Sequence, residues 1–350
     1  QAYRPSIVFI NGVYWGVHNI RERLDDHHLS IKHEVDRNSI DHLEIDGTIV
    51  DGDNSDYLTM VQFMKNNDLG IQINFDVVAE QMDIDQFTDY MISEIYVNNQ
   101  DWPHGNIKFW RSSELDNKWR WSFYDLDPGM GGWAGSAATN NLIRALSADG
   151  NGHGAWATVV LRSLMDNEEY KNFFINRFLD RLNTGLKEEV VANRVEDYRA
   201  LITPIMPDHI ARWPSAIPSM NAWKYGVNPI RTFGEKRPAF QRTHLIDYFE
   251  LEDTVFNVTI NNLDLLNGHV VLNTLEITDS MFNGLYLQGV PLQIEAVPYP
   301  GYVFSHWEEN LVTDSKLSLS LLSDTSLTAV FIETPDIDYS MISVNEVYNG

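Results

Sequence analysis

The sequence predicts an α+β protein in two parts, a helix-rich first domain followed by a small all-β domain. Residues 6–24 indicate a β-hairpin, because Asn11-Gly12 between two alternating stretches is a strong signal for a two-residue turn. From about residue 155 to 250, apolar side chains recur at spacings of three and four, which indicates helices. After about residue 253, short β patterns alternate with turn residues, which indicates an all-β domain.

The bulk composition excludes several classes of protein. The chain has 350 residues, 43% of them hydrophobic, which is enough for two domains that each bury a core. Its formal net charge is −25 and its Lys and Arg residues form no cluster, so we expect no nucleic-acid partner. The absence of cysteine excludes disulfides, thiolate metal sites and cysteine nucleophiles. Because no apolar run approaches about 18 residues, no segment is expected to span a membrane.

Domain boundaries follow from changes in the pattern. The opening stretch "QAYRPSIVFI" has the pattern of a strand and not of a signal peptide, so we expect the chain to begin inside a domain. Residues 1–252 then form a first domain that is truncated at its N-terminus, and residues 253–334 form the all-β domain. The tail, residues 335–350, is expected to be the start of a further truncated module or a linker.

Residues 36–56 are strongly acidic, with Arg37 as the only Lys or Arg among them. We interpret this stretch as a solvated loop that leads into the helix "YLTMVQFMKNN". The segment "DGDNSDY" is superficially similar to a calcium loop, but it lacks the spacing and the terminal Glu of such loops.

The next elements are a helix and a second hairpin. Phe87, Met91 and Ile95 recur at i, i+4 and i+8, which predicts an amphipathic helix that ends near Asn99, where Pro and Gly follow. The stretches "NIKFWR" and "KWRWSFYD" are strand patterns joined by the polar "SSELDN", so they predict a hairpin.

This hairpin brings separated polar residues together. Paired strands lie about 5 Å apart, so the end of the returning strand near Asp125 is expected beside Asn106, where the first strand starts. Asp101, in the loop before that strand, and Asp127 lie close to the same point. Carboxylate and amide oxygens suit Mg²⁺, Mn²⁺ or Ca²⁺ and not zinc. The spacing therefore predicts one cation site built from two segments.

Protein kinases use the same order of parts: an Asp, four residues, an Asn, a hairpin and a metal-binding Asp. In those kinases, the first Asp accepts or orients the proton of the substrate hydroxyl, while the Asn and the later Asp hold the Mg²⁺. Each residue also has a structural interpretation: Asp101 can cap a turn, Asn106 can satisfy loop backbone, and Asp125 and Asp127 can be turn residues. His104 lies inside the same loop, where it could contact substrate. Four tryptophans of this region are most simply core aromatics: Trp102, Trp110, Trp119 and Trp121.

Several blocks resemble the CotH family, the spore-coat-protein-H-like kinases with an atypical protein-kinase-like fold. They include "NGVYWGVHNIRERLD", "NNQDWPHGNIKFWR", "KWRWSFYDLDPGMGG" and the late "FGEKRPAFQRTHL". The resemblance implies a protein-kinase-like core with a partial N-terminal lobe and a helical C-terminal lobe. It also implies ATP and Mg²⁺ (or Mn²⁺) as cofactors, and the phosphorylation of Ser/Thr-type hydroxyls on secreted or surface proteins.

The resemblance implies roles for individual residues too. Asp101 takes the catalytic position, Asn106 and Asp125 are metal ligands, and Asp127 is a candidate second carboxylate. Glu22 falls in a strand block of the family near the nucleotide, although it could also pair with neighbouring arginines. The lysine that usually pairs with the phosphates has no clear match, because Lys32 and Lys65 are the only lysines before Asn106 and neither lies on a convincing strand. The replacements to consider are Arg21 and Arg23.

The later segment "LQIEAVPYPGYVFSHWEENLVTDSKLSLSLLSDTSLTAVF" resembles the small β repeats of bacterial surface proteins of the InlB B-repeat type. That resemblance implies a spacer or adhesive module, an extracellular or cell-surface setting in bacteria, and contact with the cell wall or a host surface.

Three functions are consistent with these observations. The first is a metal- and ATP-dependent phosphotransferase. The second is a kinase-like surface scaffold or adhesion protein that has lost catalysis, which the missing lysine and the β repeat favour. The third, weaker hypothesis is a carbohydrate-active enzyme that uses Asp101 with Asp125 or Asp127 as acid and base, although such sites do not include a metal-binding Asn.

Overall fold

The computed structural model describes residues 3–132, 135–263 and 265–334. The chain divides into two compact units, Gln1–Asp253 and Thr254–Gly350. The first unit combines helices with two sheets, and within residues 254–263 and 265–334 the second contains strands and no helix, so the α+β prediction is confirmed. The tail predicted to begin a further module, residues 335–350, lies outside the described residues.

The first unit begins with the predicted hairpin. Its strands are β1 (Tyr3–Ile10) and β2 (Val13–Arg21), which pair antiparallel. Asn11 and Gly12 form the turn, and both have a positive φ, at 52° and 79°. Because β2 ends at Arg21, Glu22 and Arg23 belong to the segment that follows the strand and not to the strand itself.

A four-stranded antiparallel sheet forms the middle of this unit, in the order β4-β3-β5-β6. The strands are β3 (Ile40–Glu44), β4 (Thr48–Asp51), β5 (Lys108–Ser112) and β6 (Arg120–Ser122). The prediction of a solvated loop over residues 36–56 is therefore wrong, because β3 and β4 lie within that range. Leu43 on β3 is fully buried and lies opposite Phe109 on β5, so a partner distant in the sequence makes this acidic stretch a strand.

Helices make up most of the remainder of the first unit. Among the described residues, no helix is both long and apolar enough to cross a membrane. In chain order the helices are α1 (Asp26–His33), α2 (Ser55–Asn66), α3 (Gln72–Ala79), α4 (Ile84–Val97), α5 (Asn141–Ala145), α6 (Val159–Leu164), α7 (Glu168–Asn183), α8 (Glu188–Ile202), α9 (Met206–Arg212) and α10 (Met220–Phe249).

The core of this unit is aromatic where α4 meets the sheet. Phe87 packs edge-on against Trp121, with ring centres 4.6 Å apart, and Trp121 stacks on Phe109 at 5.4 Å. The interpretation of four tryptophans as core residues is confirmed, since all of them are buried: Trp102, Trp110, Trp119 and Trp121. This cluster joins α4 to β5 and β6, the strands next to the two segments that carry the candidate site.

The second unit consists of two four-stranded sheets, ordered β10-β7-β14-β12 and β13-β11-β8-β9. Alternate residues of the strands are buried, among them Val258, Ile260 and Trp307. The β patterns of this region correspond to strands: they are "VFNVTI", "HVVLNTLEI", "PLQIEAVPY", "YVFSHW" and "LTAVFI". Strands β10 and β13 lie outside these patterns. The strands are β7 (Val255–Asn261), β8 (Gly268–Leu272), β9 (Leu275–Ile277), β10 (Met281–Leu287), β11 (Leu292–Pro298), β12 (Tyr302–Trp307), β13 (Lys316–Leu319) and β14 (Thr325–Glu333).

Candidate active site

The loop that carries Asp101 begins where α4 ends. Asn98 caps the helix in the left-handed conformation, at φ 55° and ψ 51°, and its N–H donates to the carbonyls of Glu94 and Ile95. Asparagine tolerates this conformation better than most residues. Asn98 is completely buried, so the chain reverses direction inside the protein and not at its surface.

A buried side-chain relay connects α4 to the backbone of Asp101. Asn99 Nδ2 donates to the carboxyl of Glu94 at 3.0 Å, and the Asp101 N–H donates to Asn99 Oδ1 at 3.2 Å. Glu94 and Asn99 are both completely buried. Burial raises the pKa of Glu94 to about 8, and the hydrogen bond from Asn99 opposes that rise. The relay fixes the start of the loop through groups that have no contact with solvent.

Arg144, on α5, holds the same loop from the other side. Its guanidinium donates to the carbonyl oxygens of Gln100, at 3.0 Å, and Trp102. Burial lowers the pKa of Arg144, and the nearby Asp101 carboxylate opposes that shift. Trp102 is anchored further by its indole N–H, which donates to the Tyr90 hydroxyl at 3.1 Å. The loop conformation is thus determined by side chains from α4 and α5 on both sides of Asp101.

A fully buried arginine donates hydrogen bonds to the C-terminal end of α4. Arg237, on α10, donates to the carbonyls of Ile95 and Tyr96 at 2.7 and 2.8 Å. It also donates to Ala137 and Thr139, in the segment after the Gly-rich stretch that follows Asp127. Burial lowers the pKa of Arg237 to about 9. The late sequence block "FGEKRPAFQRTHL" therefore contains a residue that ties α4 to the segment downstream of the acidic pair.

His104 lies three residues after Asp101 and stacks on His153. The two imidazole rings are nearly parallel, 7° apart, with centres separated by 3.6 Å. Burial lowers the pKa of His104, and the neighbouring His153 and Arg144 lower it further. This environment favours a neutral imidazole beside Asp101.

The structure brings Asn106 to the backbone of Asp125. Asn106 Nδ2 donates to the Asp125 carbonyl oxygen at 2.9 Å, and both residues have a positive φ, at 55° and 56°. The strand pairing explains this contact, since Lys108 on β5 lies opposite Ser122 on β6. Asp125 lies three residues beyond the end of β6, so the loop after the strand and not the strand itself carries it.

The site carboxylates are at least partly exposed to solvent. Asp125 and Asp127 are exposed and Asp101 is half-buried. Within residues 3–132, 135–263 and 265–334, these three carboxylates accept no hydrogen bond and join no ion pair, and Asn106 Oδ1 is equally unpartnered. By contrast, the carboxylate of Asp89 accepts hydrogen bonds from two arginines. Oxygens without partners are available to a ligand.

A cavity of about 270 Å³ opens beside Asp125. Its wall carries three cationic side chains together with three carboxylates, in a protein whose net charge is −25. Arg23, which is largely exposed, lies 3.4 Å from Asp25 in an ion pair, whereas Arg21 and Lys108 have no ion-pair partner among the described residues. The polar residues of the wall are Arg21, Glu22, Arg23, Asp25, Lys108, Tyr124 and Asp125. Asp101 and Asp127 are not among the residues that line it.

The donor set suits a hard cation that is only partly held by protein. Across the described ranges, no three His, Asp or Glu side chains are grouped so that they alone could hold a metal ion. Mg²⁺ commonly takes one or two carboxylates and completes its shell with phosphate oxygens and water. Asn106 and Asp125, adjacent and with unpartnered oxygens, fit that pattern.

Three residues at this site were missed from the sequence. The sequence analysis considers lysines upstream of Asn106 and so does not identify Lys108, which follows Asn106 by two residues and begins β5. Lys32 and Lys65 lie on α1 and α2, in agreement with the prediction that neither lies on a strand. Glu94 gave a signal too, because it lies on the apolar side of α4, three residues after Met91. Arg144 gave none.

The sheet, the helical half and the order Asp101, Asn106, antiparallel strand pair, Asp125 define a protein of the kinase-like class. A family model described as CotH kinase protein matches residues 1–241, more than half of the chain. The chain therefore belongs to the CotH kinase family, and the resemblance to that family is confirmed, whereas the resemblance of the later segment to bacterial surface β repeats stays a prediction. No curated protein matches the chain.

Proposed function

We propose that this chain is an ATP- and divalent-cation-dependent phosphotransferase that acts on Ser/Thr-type hydroxyls of secreted or surface proteins. The observation that carries the proposal is the junction of Asn106 and Asp125 beside a cavity lined by Arg21, Arg23 and Lys108. A triphosphate needs both a cation held by oxygen ligands and fixed positive charge around its other oxygens, and this junction offers both.

Each residue has a role in the proposed reaction. Asn106 Oδ1 and the Asp125 carboxylate hold the cation, and Asp127 is a candidate for a further ligand. When bound, Mg²⁺ or Mn²⁺ supplies positive charge that neutralises phosphate oxygens. Lys108, Arg21 and Arg23 contribute the remaining positive charge along the cavity wall, where Glu22 is proposed to contact the nucleotide.

Asp101 is proposed to align the acceptor. Its carboxylate takes the proton of the acceptor hydroxyl as that oxygen forms a bond to the γ-phosphorus and the bond from phosphorus to the bridging β–γ oxygen breaks, which releases ADP. The Glu94–Asn99 relay and Arg144 support this role, because they hold the backbone on both sides of Asp101 before any ligand binds.

Nucleotide binding is the first test. Addition of ATP with Mg²⁺ or Mn²⁺ should raise the melting temperature of the protein, since a ligand that binds the native state stabilises it. The Asp125→Asn variant should show little or no rise, while Asp85→Asn, at the opposite end of α4, should behave like the wild-type protein. If ATP with either cation leaves the wild-type melting temperature unchanged, the proposal is wrong.

The second candidate function is a non-catalytic surface scaffold. Its support is that Lys32 and Lys65 lie on helices, so no lysine upstream of Asn106 is on a strand. A scaffold of this kind would show neither the nucleotide-dependent rise in melting temperature nor transfer of labelled γ-phosphate to arrays of Ser- and Thr-containing peptides. The extracellular or surface setting and the adhesive role of the second unit remain part of both proposals.

A further inference from the structure

The β1–β2 hairpin is mostly exposed, and its buried point contacts the helical half of its unit. Of the nine residues of β2, only Gly16 is buried. Apolar side chains elsewhere on the hairpin are exposed, including Phe9 at 62% and Val13 at 59%. Gly16, the buried residue, lies against α9 and against Trp213, the residue that follows α9. The placement of the hairpin therefore depends on this contact more than on a packed core.

Two hydrogen bonds join the hairpin backbone to side chains at the end of α9. The Val17 N–H donates to His209 Nδ1 at 3.0 Å, and Trp213 Nε1 donates to the Trp15 carbonyl at 2.7 Å. Because His209 Nδ1 accepts, its ring proton must lie on Nε2. Both bonds involve backbone groups of β2 on either side of Gly16, so they fix the strand itself and not only its side chains.

Gly16 allows this close approach. A Cβ added at Gly16 would lie 2.8 Å from His209 Nδ1 and 3.0 Å from Trp213 Nε1, and the φ of this residue is +131°. Both the space and the backbone conformation therefore require glycine. A glycine within a strand commonly marks a place where another part of the protein comes close to the backbone.

An aromatic–cation stack covers the same contact. The rings of Trp15 and Trp213 meet edge-to-face, with centres 5.2 Å apart at 84°. The Arg212 guanidinium carbon lies 4.7 Å from the Trp15 ring centre and 4.2 Å from that of Trp213. A guanidinium shared by two indole faces adds attraction to the two hydrogen bonds and holds the rings in place.

The contact has a consequence at the cavity. Val17 precedes Arg21 by four residues, a span of about 13 Å along a strand. Arg21, Glu22 and Arg23 leave the end of β2 and form one wall of the cavity beside Asp125. Because β2 is anchored at residues 15–17, the three side chains at its end are expected to lie at a fixed position. Without the anchor, the hairpin has little other burial to hold it.

We propose that His209 and Trp213 are positioning residues, which clamp strand β2 and thereby set the wall of the cavity formed by Arg21, Glu22 and Arg23. The consequence for nucleotide binding rests on the proposed function, whereas the clamp on the hairpin does not. Neither residue lines the cavity beside Asp125, so each acts through the strand.

Hydrogen exchange tests the clamp without any ligand. In His209→Ala, the Val17 amide loses its acceptor, so exchange across β1 and β2 should accelerate roughly tenfold while exchange in α4 and α7 stays unchanged. His209→Asn should restore slow exchange, because its side-chain oxygen replaces the Nδ1 acceptor. Trp213→Phe keeps an aromatic ring but removes the indole N–H that donates to the Trp15 carbonyl, so it should give an intermediate exchange rate. Unchanged exchange at Val17 in both His209→Ala and Trp213→Phe would overturn the clamp.

Two glycine variants supply a matched pair. Gly16→Ala and Gly12→Ala both introduce a side chain at a positive φ, but only the first brings it against His209 and Trp213, since nothing lies within 4 Å of a Cβ at Gly12. Gly16→Ala should therefore accelerate exchange of the Val17 amide far more than Gly12→Ala does. Equal effects would mean that backbone strain alone, and not contact with α9, controls the hairpin.

The effect on nucleotide is then measured separately. His209→Ala should raise the Kd for ATP with Mg²⁺ by roughly three- to tenfold and leave kcat at saturating ATP nearly unchanged, with recovery in His209→Asn. If exchange accelerates but the Kd for ATP does not change, the clamp is real but does not position the cavity wall, and the proposed positioning role is wrong. If the wild-type protein binds no ATP at all, the proposed function fails while the exchange results still decide the clamp.

Discussion

The two segments that carry the candidate active-site oxygens are held in opposite ways. The loop from Asn98 to Asn106 is fixed from within by Glu94, Asn99 and Arg144, through hydrogen bonds to its backbone. The segment that carries Asp125 and Asp127 instead exposes both carboxylates, and its described contact with the loop is the bond from Asn106 Nδ2 to the Asp125 carbonyl.

The difference separates two requirements of phosphoryl transfer. A residue that aligns an acceptor must be held to within a fraction of an ångström before the reaction, and buried hydrogen bonds provide that rigidity. A residue that binds a cation must keep oxygens free of protein partners, so exposure is useful there. The buried relay is therefore expected to control turnover, while the exposed pair is expected to control binding.

The largest expected effects separate these two roles directly. Asp125→Asn should remove most binding of ATP with Mg²⁺, since it takes away a carboxylate next to Asn106. Asp101→Asn should leave the Kd for ATP within about threefold of wild type and lower kcat by roughly 10²- to 10⁴-fold. Isothermal titration with ATP and a phosphoryl-transfer assay measure the two quantities. A loss of kcat with unchanged binding in Asp125→Asn would contradict the assignment.

The next effect concerns the support of the loop. Arg144→Met keeps much of the side-chain volume but leaves the carbonyls of Gln100 and Trp102 without their donor, so we expect a loss of about 2 to 5 kcal/mol in the free energy of unfolding. The same variant should lower kcat more than it changes the Kd for ATP. Ile143→Ala, at an exposed position on the same helix, serves as the control and should be nearly neutral. Equal stability losses in the two variants would contradict the role of Arg144.

A smaller effect depends on pH. Glu94 has a pKa of about 8 in the folded protein against an ordinary value of 4.5, so between these values the folded state holds one more proton than the unfolded state. The free energy of unfolding should therefore fall by about 1.4 kcal/mol per pH unit across that range because of this one group. Its stabilising contribution is complete below about pH 4.5 and is lost as the pH rises through 8.

Glu94→Gln isolates this contribution. The amide keeps an oxygen for Asn99 Nδ2 but does not titrate, so denaturant unfolding at pH 5, 6, 7 and 8 should show a shallower pH dependence in the variant. The free energy of unfolding of the variant, relative to that of the wild-type protein, should therefore increase as the pH rises. Parallel curves for the two proteins would mean that Glu94 is not held protonated in the folded state.

The smallest expected effect is at Asp127. Asn106 contacts Asp125 and not Asp127, and Asp127 does not line the cavity. As a further ligand it should contribute modestly, so Asp127→Asn should weaken binding of ATP with Mg²⁺ by less than about tenfold. Titration calorimetry compares it with Asp125→Asn. A larger loss in Asp127→Asn than in Asp125→Asn would reverse the order of the two ligands.

Local patterns were enough to predict much of the fold. The Asn11-Gly12 turn, the spacing of Phe87, Met91 and Ile95, and the late β patterns each report contacts within a short stretch of chain, and each element is present. The order of Asp101, Asn106 and Asp125 also indicated the kinase-like class. A hairpin brings its two ends together, so the residues before its first strand and after its second strand are expected to be neighbours.

Features that depend on distant partners required the tertiary structure. Strand β3 pairs with β5, which offers Phe109 and its neighbours as partners, and β4 pairs with β3, so long-range pairing outweighs the acidic composition of that stretch. Arg144 reaches carbonyls of the loop and Arg237 reaches carbonyls at the end of α4, all far from them in the sequence, and no local pattern predicts which groups these arginines contact. The sequence by itself determined most of the local elements and which oxygens are candidates to bind a cation. The tertiary structure decided which buried groups hold those oxygens, because burial and long-range hydrogen bonds exist only once the chain has packed.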